Sequence, residues 1–462
     1  MADIPDYQTT EEGRMYEKHI MQFLSGDKRD FPSYFGGLMV ASGNEFDVFS
    51  PIDESISFGK FQEPEDGIME EAVTAAVKAQ GPWARTPIEE RAAYFEKLLP
   101  TLKNRRMQFA SAVTVCAGMV REDAQSEADR LIEAVEALIS ESKGFKGRPQ
   151  GVWAVISAHN SPLASPCAYA VAAMIAGNSV VMCPSKFCPV PIFMFYELVE
   201  RTELPGGVLN LIVDRKDEST EALANDMRVN GVVATGSGDR LEDLMFLQVD
   251  DELSFINEIK GMNPAIVYRP SDMKAAVKAI IDSAFSFAGQ HLYSCSKVII
   301  TADDQKRFME ALSEQMKDLD VGDPIDDSTF CGPVISKDAV KRFKKLNDEI
   351  LPFVIAKAAP VIDAPAGCYV CPIAVSGLDD ENDLNFMDSG LPILNIKVVG
   401  TLDSAFEELE DTECGLSAGL FSKDPKVIER FNRDVDVPFR YINSSSRSLK
   451  AAAFCELKRF VR

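Results

Sequence analysis

The chain has 462 residues and a mass of 50.8 kDa. That length exceeds what one hydrophobic core usually supports, and 46% hydrophobic residues exclude a disordered chain. The 48 Lys and Arg against 72 Asp and Glu leave a net charge of −24, and no basic cluster interrupts the acidic excess, so a nucleic acid is not a predicted partner. Ten scattered cysteines, no apolar signal-peptide core and no run long enough to span a bilayer predict a cytoplasmic protein without membrane insertion.

The early part of the chain, residues 66–142, has helical spacing throughout. In its last segment six apolar residues recur at three- and four-residue steps and share one stripe of a helix: Ala128, Leu131, Ile132, Val135, Leu138 and Ile139. Four acidic residues fall outside that stripe: Glu127, Asp129, Glu133 and Glu136. The pattern is typical of a surface helix that packs through one face.

Short apolar runs then alternate with stretches of helical length. The first group of runs lies at 152–156, 179–182, 209–213 and 232–234, and a second group at 265–268 and 297–300. This alternation predicts parallel sheets with crossover helices. Because it occurs twice, we expect an α/β protein of two lobes. Internal repeats and low-complexity segments are absent from the sequence.

Eight short strings identify a family resemblance. They are SAHNSPL (157–163), AGNSVVMCPS (176–185), LPGGVLN (204–210), ATGS (234–237), EIKGMNPAIV (258–267), FAGQ (287–290), CGPVIS (331–336) and ECGLSAGLF (413–421). In this order and spacing the chain resembles the NAD(P)-dependent aldehyde dehydrogenase superfamily over roughly residues 35–460. YSCSK (293–297) and ERAAYFEKLL (90–99) are most similar to the 1-pyrroline-5-carboxylate, or glutamate semialdehyde, dehydrogenases.

The resemblance implies a two-lobed fold with three regions. We expect N-terminal helices and a Rossmann-like dinucleotide-binding domain over 1–257, a catalytic-type α/β domain over 258–435, and a C-terminal return segment over 436–462. The family's oligomerisation hairpin is not expected, because residues 140–151 leave room only for a tight link. A monomer or a non-standard dimer is therefore predicted.

The family's chemistry uses a cysteine thiolate that attacks the aldehyde, a carboxylate that activates water, and an amide that stabilises the oxyanion. By position, Asn160 matches the oxyanion-hole asparagine and Glu258 the general base. The nucleophile position holds Leu292, which has no lone pair. Cysteine catalysis cannot run through this position as the sequence stands.

Three neighbours of Leu292 are candidates to replace the nucleophile. Cys295 lies three residues further on and is more typical of a buried structural cysteine than of a displaced nucleophile. His291 is interpreted as incidental rather than as a base or metal ligand, and Tyr293 as a packing residue. Cys368 and Cys371 have redox or zinc spacing, but no second pair lies near them in the sequence, so no metal site is predicted.

The cofactor positions also depart from the family. Cys183 stands where a lysine contacts the adenosine ribose, and Lys186 where an acidic residue accepts from the ribose hydroxyls. A lysine there favours NADP over NAD, with a solvated lysine in a degenerate pocket as the alternative. Gly236 and Ser237 belong to a predicted turn, residues 235–238, that could seat a pyrophosphate. Asp388 could replace the missing nicotinamide-ribose glutamate only after a register adjustment.

Two functions therefore remain open. The first is an oxidoreductase that acts on a small aldehyde or semialdehyde through a rearranged site, as the retained Asn160 and Glu258 favour. The second is a catalytically inactive relative that binds a metabolite or a protein partner, as the altered positions favour.

Overall fold

The computed structural model describes residues 10–25, 29–41, 44–65, 67–215, 217–237, 253–359, 364–412, 415–449 and 455–462. The chain divides into two compact units. The first comprises Met1–Ala117, Arg121–Asn257 and Lys450–Arg462, and the second comprises Gly118–Val120 and Glu258–Leu449. No helix among the described residues combines the length and apolarity that a bilayer span requires.

The first unit begins with α1 (Glu11–Leu24), and four further helices confirm the helical prediction for 66–142. They are α2 (Ile68–Arg85), α3 (Ile88–Asn104), α4 (Arg106–Ala117) and α5 (Arg121–Ser142). Helix α1 starts at Thr10, whose Oγ1 accepts a hydrogen bond from Gly13 N at 3.0 Å. The predicted stripe of α5 is buried, but Glu127, which was placed outside it, is only 2% exposed.

A seven-stranded sheet forms the centre of the first unit, in the order β10-β9-β6-β7-β8-β2-β3. Its strands are β2 (Ser33–Phe35), β3 (Leu38–Val40), β6 (Val152–Ile156), β7 (Ser179–Cys183), β8 (Leu209–Leu211), β9 (Val229–Ser237) and β10 (Ser254–Lys260). A second sheet contains β1 (Arg29–Phe31), β5 (Ser57–Glu63) and β4 (Asn44–Phe49), in that order. Helices α6 (Ala164–Ala176), α7 (Val190–Glu200) and α8 (Asp217–Ala224) connect the parallel strands.

A short link joins α5 to β6, and residues 143–151 contain no pair of strands. Instead, Pro149 forms an isolated antiparallel bridge with Val461 near the C-terminus. Asn178 holds both segments, because its Oδ1 accepts from Gln150 N at 2.7 Å while its Nδ2 donates to Phe460 O at 2.9 Å. The predicted absence of the family's hairpin is confirmed for this segment.

The second unit has its own seven-stranded sheet, in the order β13-β14-β15-β12-β11-β16-β17. The strands are β11 (Ala265–Val267), β12 (Lys297–Thr301), β13 (Val354–Lys357), β14 (Ile373–Ser376), β15 (Ile393–Val399), β16 (Ser417–Phe421) and β17 (Phe439–Ile442). Helices α9 (Met273–Phe285), α10 (Ala302–Met316), α11 (Lys337–Ile350), α12 (Leu402–Glu410) and α13 (Pro425–Asp434) accompany them. All described pairings are parallel except β13 with β14, so the predicted α/β alternation is confirmed in both units.

Candidate active site

The carboxyl ends of three parallel strands meet at one edge of the first sheet. In the β6 register, Ile156 lies opposite Cys183 on one side and Ala234 on the other. The chain passes from β6 to β7 on one side and later returns to β9 on the other side, which makes this a topological switch point. Most of the sequence-predicted residues of the first unit follow these strand ends, so the edge is the candidate binding site of this unit.

Asn160 lies in the loop that follows β6. Its side chain is 4% exposed, and its Oδ1 has no hydrogen-bond partner among the described residues. A buried amide oxygen without a partner costs free energy unless a ligand donor or water satisfies it. The Asn160 Oδ1 is therefore open to a donor from a ligand or from water.

Glu127 holds the loop that carries Asn160, a role that no sequence pattern indicated. Its Oε2 accepts from Ala164 N at 3.0 Å and from Ser161 Oγ at 3.4 Å, while its Oε1 accepts from Arg130 Nη1 at 3.3 Å. A carboxylate at the first turn of α6 satisfies an otherwise open N–H and complements the helix dipole. Helix periodicity alone does not predict this role of Glu127, because residue 127 lies just beside the apolar stripe of α5.

The two predicted adenosine-side residues have neighbours within the first unit. Cys183 is 2% exposed, and its carbonyl accepts from Ser157 N at 3.0 Å. The Lys186 Nζ donates to Arg215 O at 3.0 Å and lies 5.8 Å from the Phe187 ring centroid. A 2'-phosphate would have to compete with that carbonyl for the ammonium group.

The predicted glycine turn is a strand end in the structure. Residues 235–237 belong to β9, so Gly236 and Ser237 continue the ladder rather than turn away, and Gly238 lies outside the described residues. The Thr235 Oγ1 accepts from Ala158 N at 3.2 Å and ties the end of β9 to the loop after β6. The turn prediction was wrong for residues 235–237, because a short run of glycine and small polar residues does not distinguish a turn from an extended strand.

The main segment of the second unit begins at Glu258, within β10, and contains the predicted base and the nucleophile position. Glu258 lies in β10 and is 2% exposed. Leu292 is also 2% exposed and follows a left-handed stretch in which Phe287 and Ala288 have φ values of 51° and 52°. Non-glycine residues in this region cost about 1–3 kcal/mol each, and such strain clusters at functional sites.

Asn263 fixes the loop around Leu292 and is a residue whose role the sequence reasoning missed. Its Nδ2 donates to the carbonyls of Leu292 at 2.9 Å and of Ser294 at 3.1 Å. Its Oδ1 accepts from Leu416 N at 3.0 Å and from Ser417 N at 2.9 Å. One fully buried amide thus joins the loop to β16. The motif EIKGMNPAIV contained this asparagine, but no spacing rule indicated its partners.

Gln290 fixes the preceding turn in the same way. Its Nε2 donates to Phe287 O at 2.9 Å, and its Oε1 accepts from Ile335 N at 2.8 Å. His291 is 7% exposed and packs edge-on against Phe287 at 5.2 Å between ring centroids. Tyr293 packs edge-on against Phe439 at 5.7 Å. Both side chains are buried against aromatic rings.

Cys295 lies in the hydrophobic core of the second unit. It is 1% exposed, and its Sγ donates to Lys297 O at 3.3 Å. Burial raises the pKa of this thiol to about 12. At pH 8 roughly one molecule in ten thousand would therefore carry the thiolate, which is the reactive form. Cys368 is also buried, and no group of three or more potential metal ligands occurs within the described residues.

Cys295 is expected to resist alkylation in the folded protein. With iodoacetamide at pH 7.5, we expect its labelling to be at least about 100-fold slower than that of the partly exposed Cys371, because burial blocks access and keeps the thiol protonated. Peptide mass spectrometry after timed quenching measures both rates, and labelling in denaturant is the control. Equal rates in the folded protein would contradict the buried-thiol interpretation.

Asp388 and Lys260 form a buried ion pair in the second unit. Their Nζ–Oδ2 distance is 2.5 Å, and each side chain is 2% exposed. Asp388 Oδ2 also accepts from Gly390 N at 2.9 Å, and Oδ1 accepts from Ser296 Oγ. Both carboxylate oxygens of Asp388 thus accept hydrogen bonds from residues of this unit. The cofactor-ribose role predicted for Asp388 would require this network to open.

Comparison with known proteins decides the family. Residues 39–455 match the aldehyde dehydrogenase family. The chain belongs to this family. It is 25% identical to the 1-pyrroline-5-carboxylate dehydrogenase of Geobacillus sp. (strain WCH70), over 95% of this chain and 90% of that protein. It is 32% identical to the N-succinylglutamate 5-semialdehyde dehydrogenase of Paraburkholderia xenovorans (strain LB400), over 79% of each.

The fold of this family member agrees with solved structures. The 1-pyrroline-5-carboxylate dehydrogenase from Thermus with bound NAD superposes with a TM-score of 0.90 at 20% identity, covering 98% of this chain and 96% of that one. The two-lobed aldehyde dehydrogenase-like fold predicted from the sequence is thereby confirmed, and so is the resemblance to the 1-pyrroline-5-carboxylate dehydrogenases.

Proposed function

We propose that this family member binds a nucleotide cofactor or a semialdehyde-like metabolite without oxidising aldehydes through a cysteine. The observation that carries the proposal is Leu292, a buried aliphatic side chain at the position where the family resemblance places the thiolate. A hydrocarbon side chain cannot form a thiohemiacetal with an aldehyde. The proposal also covers a protein-interaction role, since binding alone does not require turnover.

The surroundings of Leu292 support the loss of thiolate chemistry. The cysteine nearest in sequence, Cys295, is held protonated in the core with its Sγ–H directed to a carbonyl. Moving it to the Leu292 position would require the loop to shift by three residues, and the hydrogen bonds of Asn263 to the Leu292 and Ser294 carbonyls oppose that shift.

The first unit supports the binding half of the proposal. The unpartnered Asn160 Oδ1 at the carboxyl edge of β6 fits a ligand donor, and the loops after β6 and β7, including Lys186, would hold a nucleotide. A bound nicotinamide dinucleotide would supply a hydride acceptor. Lys186 favours NADP over NAD, whereas the fully used oxygens of Asp388 do not fit a ribose contact.

The second candidate function is an aldehyde or semialdehyde oxidoreductase with a rearranged site. The retention of Asn160, 4% exposed, and of Glu258, 2% exposed, favours this second candidate. A site that had lost its activity need not retain either group. This candidate requires a nucleophile or a direct hydride transfer that does not involve Leu292.

A paired binding and activity experiment tests the proposal. Calorimetric titration of the full chain with NADP and NAD is expected to show micromolar binding of at least one of them. Formation of the reduced cofactor from glutamate semialdehyde is expected to stay at least about 1000-fold below an ordinary enzyme turnover of roughly 10 s⁻¹. Robust turnover by the wild-type protein would establish the second candidate instead.

The Leu292→Cys variant separates a lost nucleophile from a lost pocket, with Leu292→Ala as the matched control. Oxidation by Leu292→Cys but not by Leu292→Ala would show that only the nucleophile is missing. If folded Leu292→Cys stays inactive and neither dinucleotide binds, the cofactor half of the proposal fails, and a metabolite or protein partner remains.

A further inference from the structure

Strand β3 forms one edge of the seven-stranded sheet of the first unit. It pairs with β2 in antiparallel register, with Leu38 opposite Phe35, Met39 opposite Tyr34 and Val40 opposite Ser33. In the described sheet its other side has no neighbouring strand. An edge strand presents a row of backbone N–H and C=O groups to which another strand can add.

The side chains of this edge are unusually apolar and exposed. Leu38 is 68% exposed and Met39 is 70% exposed. Residues 31–44 contain no Asp, Glu, Lys, Arg or His, in a chain in which 26% of residues are charged. Proteins usually protect such edges with charges, prolines or bulges, and β3 itself contains neither a charge nor a proline. The strand is therefore a surface that another chain can cover.

Apolar residues lie beside the strand on both faces of the sheet, although Tyr196 is only 4% exposed and adds almost no accessible area. Tyr34, opposite Met39, stacks on Tyr196 at 4.6 Å between ring centroids. On the other face, Leu38 and Phe35 line a cavity of about 760 Å³ whose opposite wall is helix α2. Pro82, Trp83 and Pro205 supply further apolar lining. We call the strand and this cavity the edge patch.

The edge patch has no net charge. The charged side chains that line its cavity are Glu71 and Lys78, one of each sign and two turns apart on α2. The chain as a whole carries −24, so two copies repel one another over most of their surfaces. A neutral apolar patch is the face on which a second, equally acidic copy can approach at the lowest electrostatic cost.

We propose that the edge patch is the dimer interface of this protein and that its partner is a second copy of the chain. The two β3 strands would pair antiparallel across a twofold axis near Met39, so that Leu38 of one copy lies opposite Val40 of the other. Such an isologous contact covers the same patch on both copies. It uses no hairpin between α5 and β6.

A self-paired strand also explains why both faces of β3 are apolar. Strand pairing alone gives only a few hydrogen bonds for three residues, whereas a stable interface buries about 800 Å² per partner. The remaining area comes from the exposed side chains of Leu38 and Met39 and from the apolar cavity beside Leu38. The paired strands would join two seven-stranded sheets into one continuous sheet.

Multi-angle light scattering of the full chain at about 50 µM tests the mass. We expect twice 50.8 kDa for the wild type and a single-chain mass for Met39→Lys, because each copy would bury an uncompensated charge at the twofold axis. The matched control is Met227→Lys, at an apolar position of the same unit that is 97% exposed and lies outside the edge patch. The control is expected to keep the wild-type mass, and circular dichroism checks that each variant is folded.

A reciprocal disulfide tests the register. Opposite Cα atoms in an antiparallel pair lie about 4.5–5.5 Å apart, within the range that a disulfide spans. Oxidised Met39→Cys is expected to form a covalent dimer in at least about half of the molecules, and Met227→Cys is not. A single-chain mass for the wild type, or an oligomer that Met39→Lys leaves unchanged, would overturn the proposal. Pairing of β3 with an unrelated peptide would then be the remaining use of the edge.

Discussion

Replacement of Lys260 by methionine is expected to lower the free energy of unfolding by about 3–5 kcal/mol, because it leaves the Asp388 carboxylate buried without its counter-ion. Ser296 and Gly390 still donate to that carboxylate, but neither carries a compensating charge. Chemical denaturation followed by circular dichroism gives the free energy. The fall should appear as a lower midpoint at an unchanged denaturant slope.

An exposed ion pair of the same unit provides the matched control. Lys278 and Asp282 lie 3.2 Å apart on α9, and the lysine side chain is 70% exposed. Lys278→Met is expected to change the free energy of unfolding by less than about 1 kcal/mol. The double variant Lys260→Met with Asp388→Leu should recover much of the loss, since it removes both charges together. A loss below about 1 kcal/mol for Lys260→Met alone would contradict a buried, charged pair.

Asn263→Ala is expected to be about as damaging and, in addition, to open the loop around Leu292. The substitution removes the partner of two backbone N–H groups and of several carbonyls, and each buried polar group left unsatisfied costs about 1–3 kcal/mol. We expect a loss of about 3–6 kcal/mol in the free energy of unfolding. Because the loop precedes Cys295, iodoacetamide labelling of Cys295 should become at least about tenfold faster.

The labelling rate distinguishes local opening from general destabilisation. Asn225→Ala, which removes an exposed side chain bonded only to Glu221 O at 2.9 Å, is the matched control and should leave both stability and labelling unchanged. Labelling is measured well below the denaturation midpoint of each variant, so that global unfolding contributes little. Unchanged Cys295 labelling in a destabilised Asn263→Ala variant would show that Asn263 stabilises β16 rather than the loop.

These contacts indicate how the second unit holds the loop around Leu292 in place. The loop is fixed by Gln290 at its start, by Asn263 at its centre and by the Ser296–Asp388 contact at its end. A loop without a function would not be expected to keep these three sets of buried hydrogen bonds. Each buried polar group lowers the stability of the fold when its hydrogen bonds are incomplete. This order is consistent with a site that still binds a ligand, as proposed above.

Local patterns in the sequence determined the α/β alternation and the alignment of Leu292 with the family's nucleophile position. Apolar residues recur with different periods in strands and in helices. The strands that begin near residues 152, 179, 265 and 297 were therefore predictable from the sequence. The family strings also aligned Leu292 with the nucleophile position, because a motif position depends only on the linear order. The absence of a hairpin followed in the same way from the short link over 143–151.

The tertiary structure alone decided which polar groups meet. Lys260 and Asp388 are 128 positions apart, and no local pattern relates their charges. Glu127 lies beside the apolar stripe of α5 but is buried because α6 begins against it, which periodicity within one helix cannot show. The three-residue strands β2 and β3 are too short to show a period. Their place at the sheet edge depends on the pairing of Tyr34 with Leu211 of β8, 177 residues away in the sequence. Burial and pairing between distant segments are set by the packing of the whole unit, and they decide both the state of the candidate site and the exposed edge.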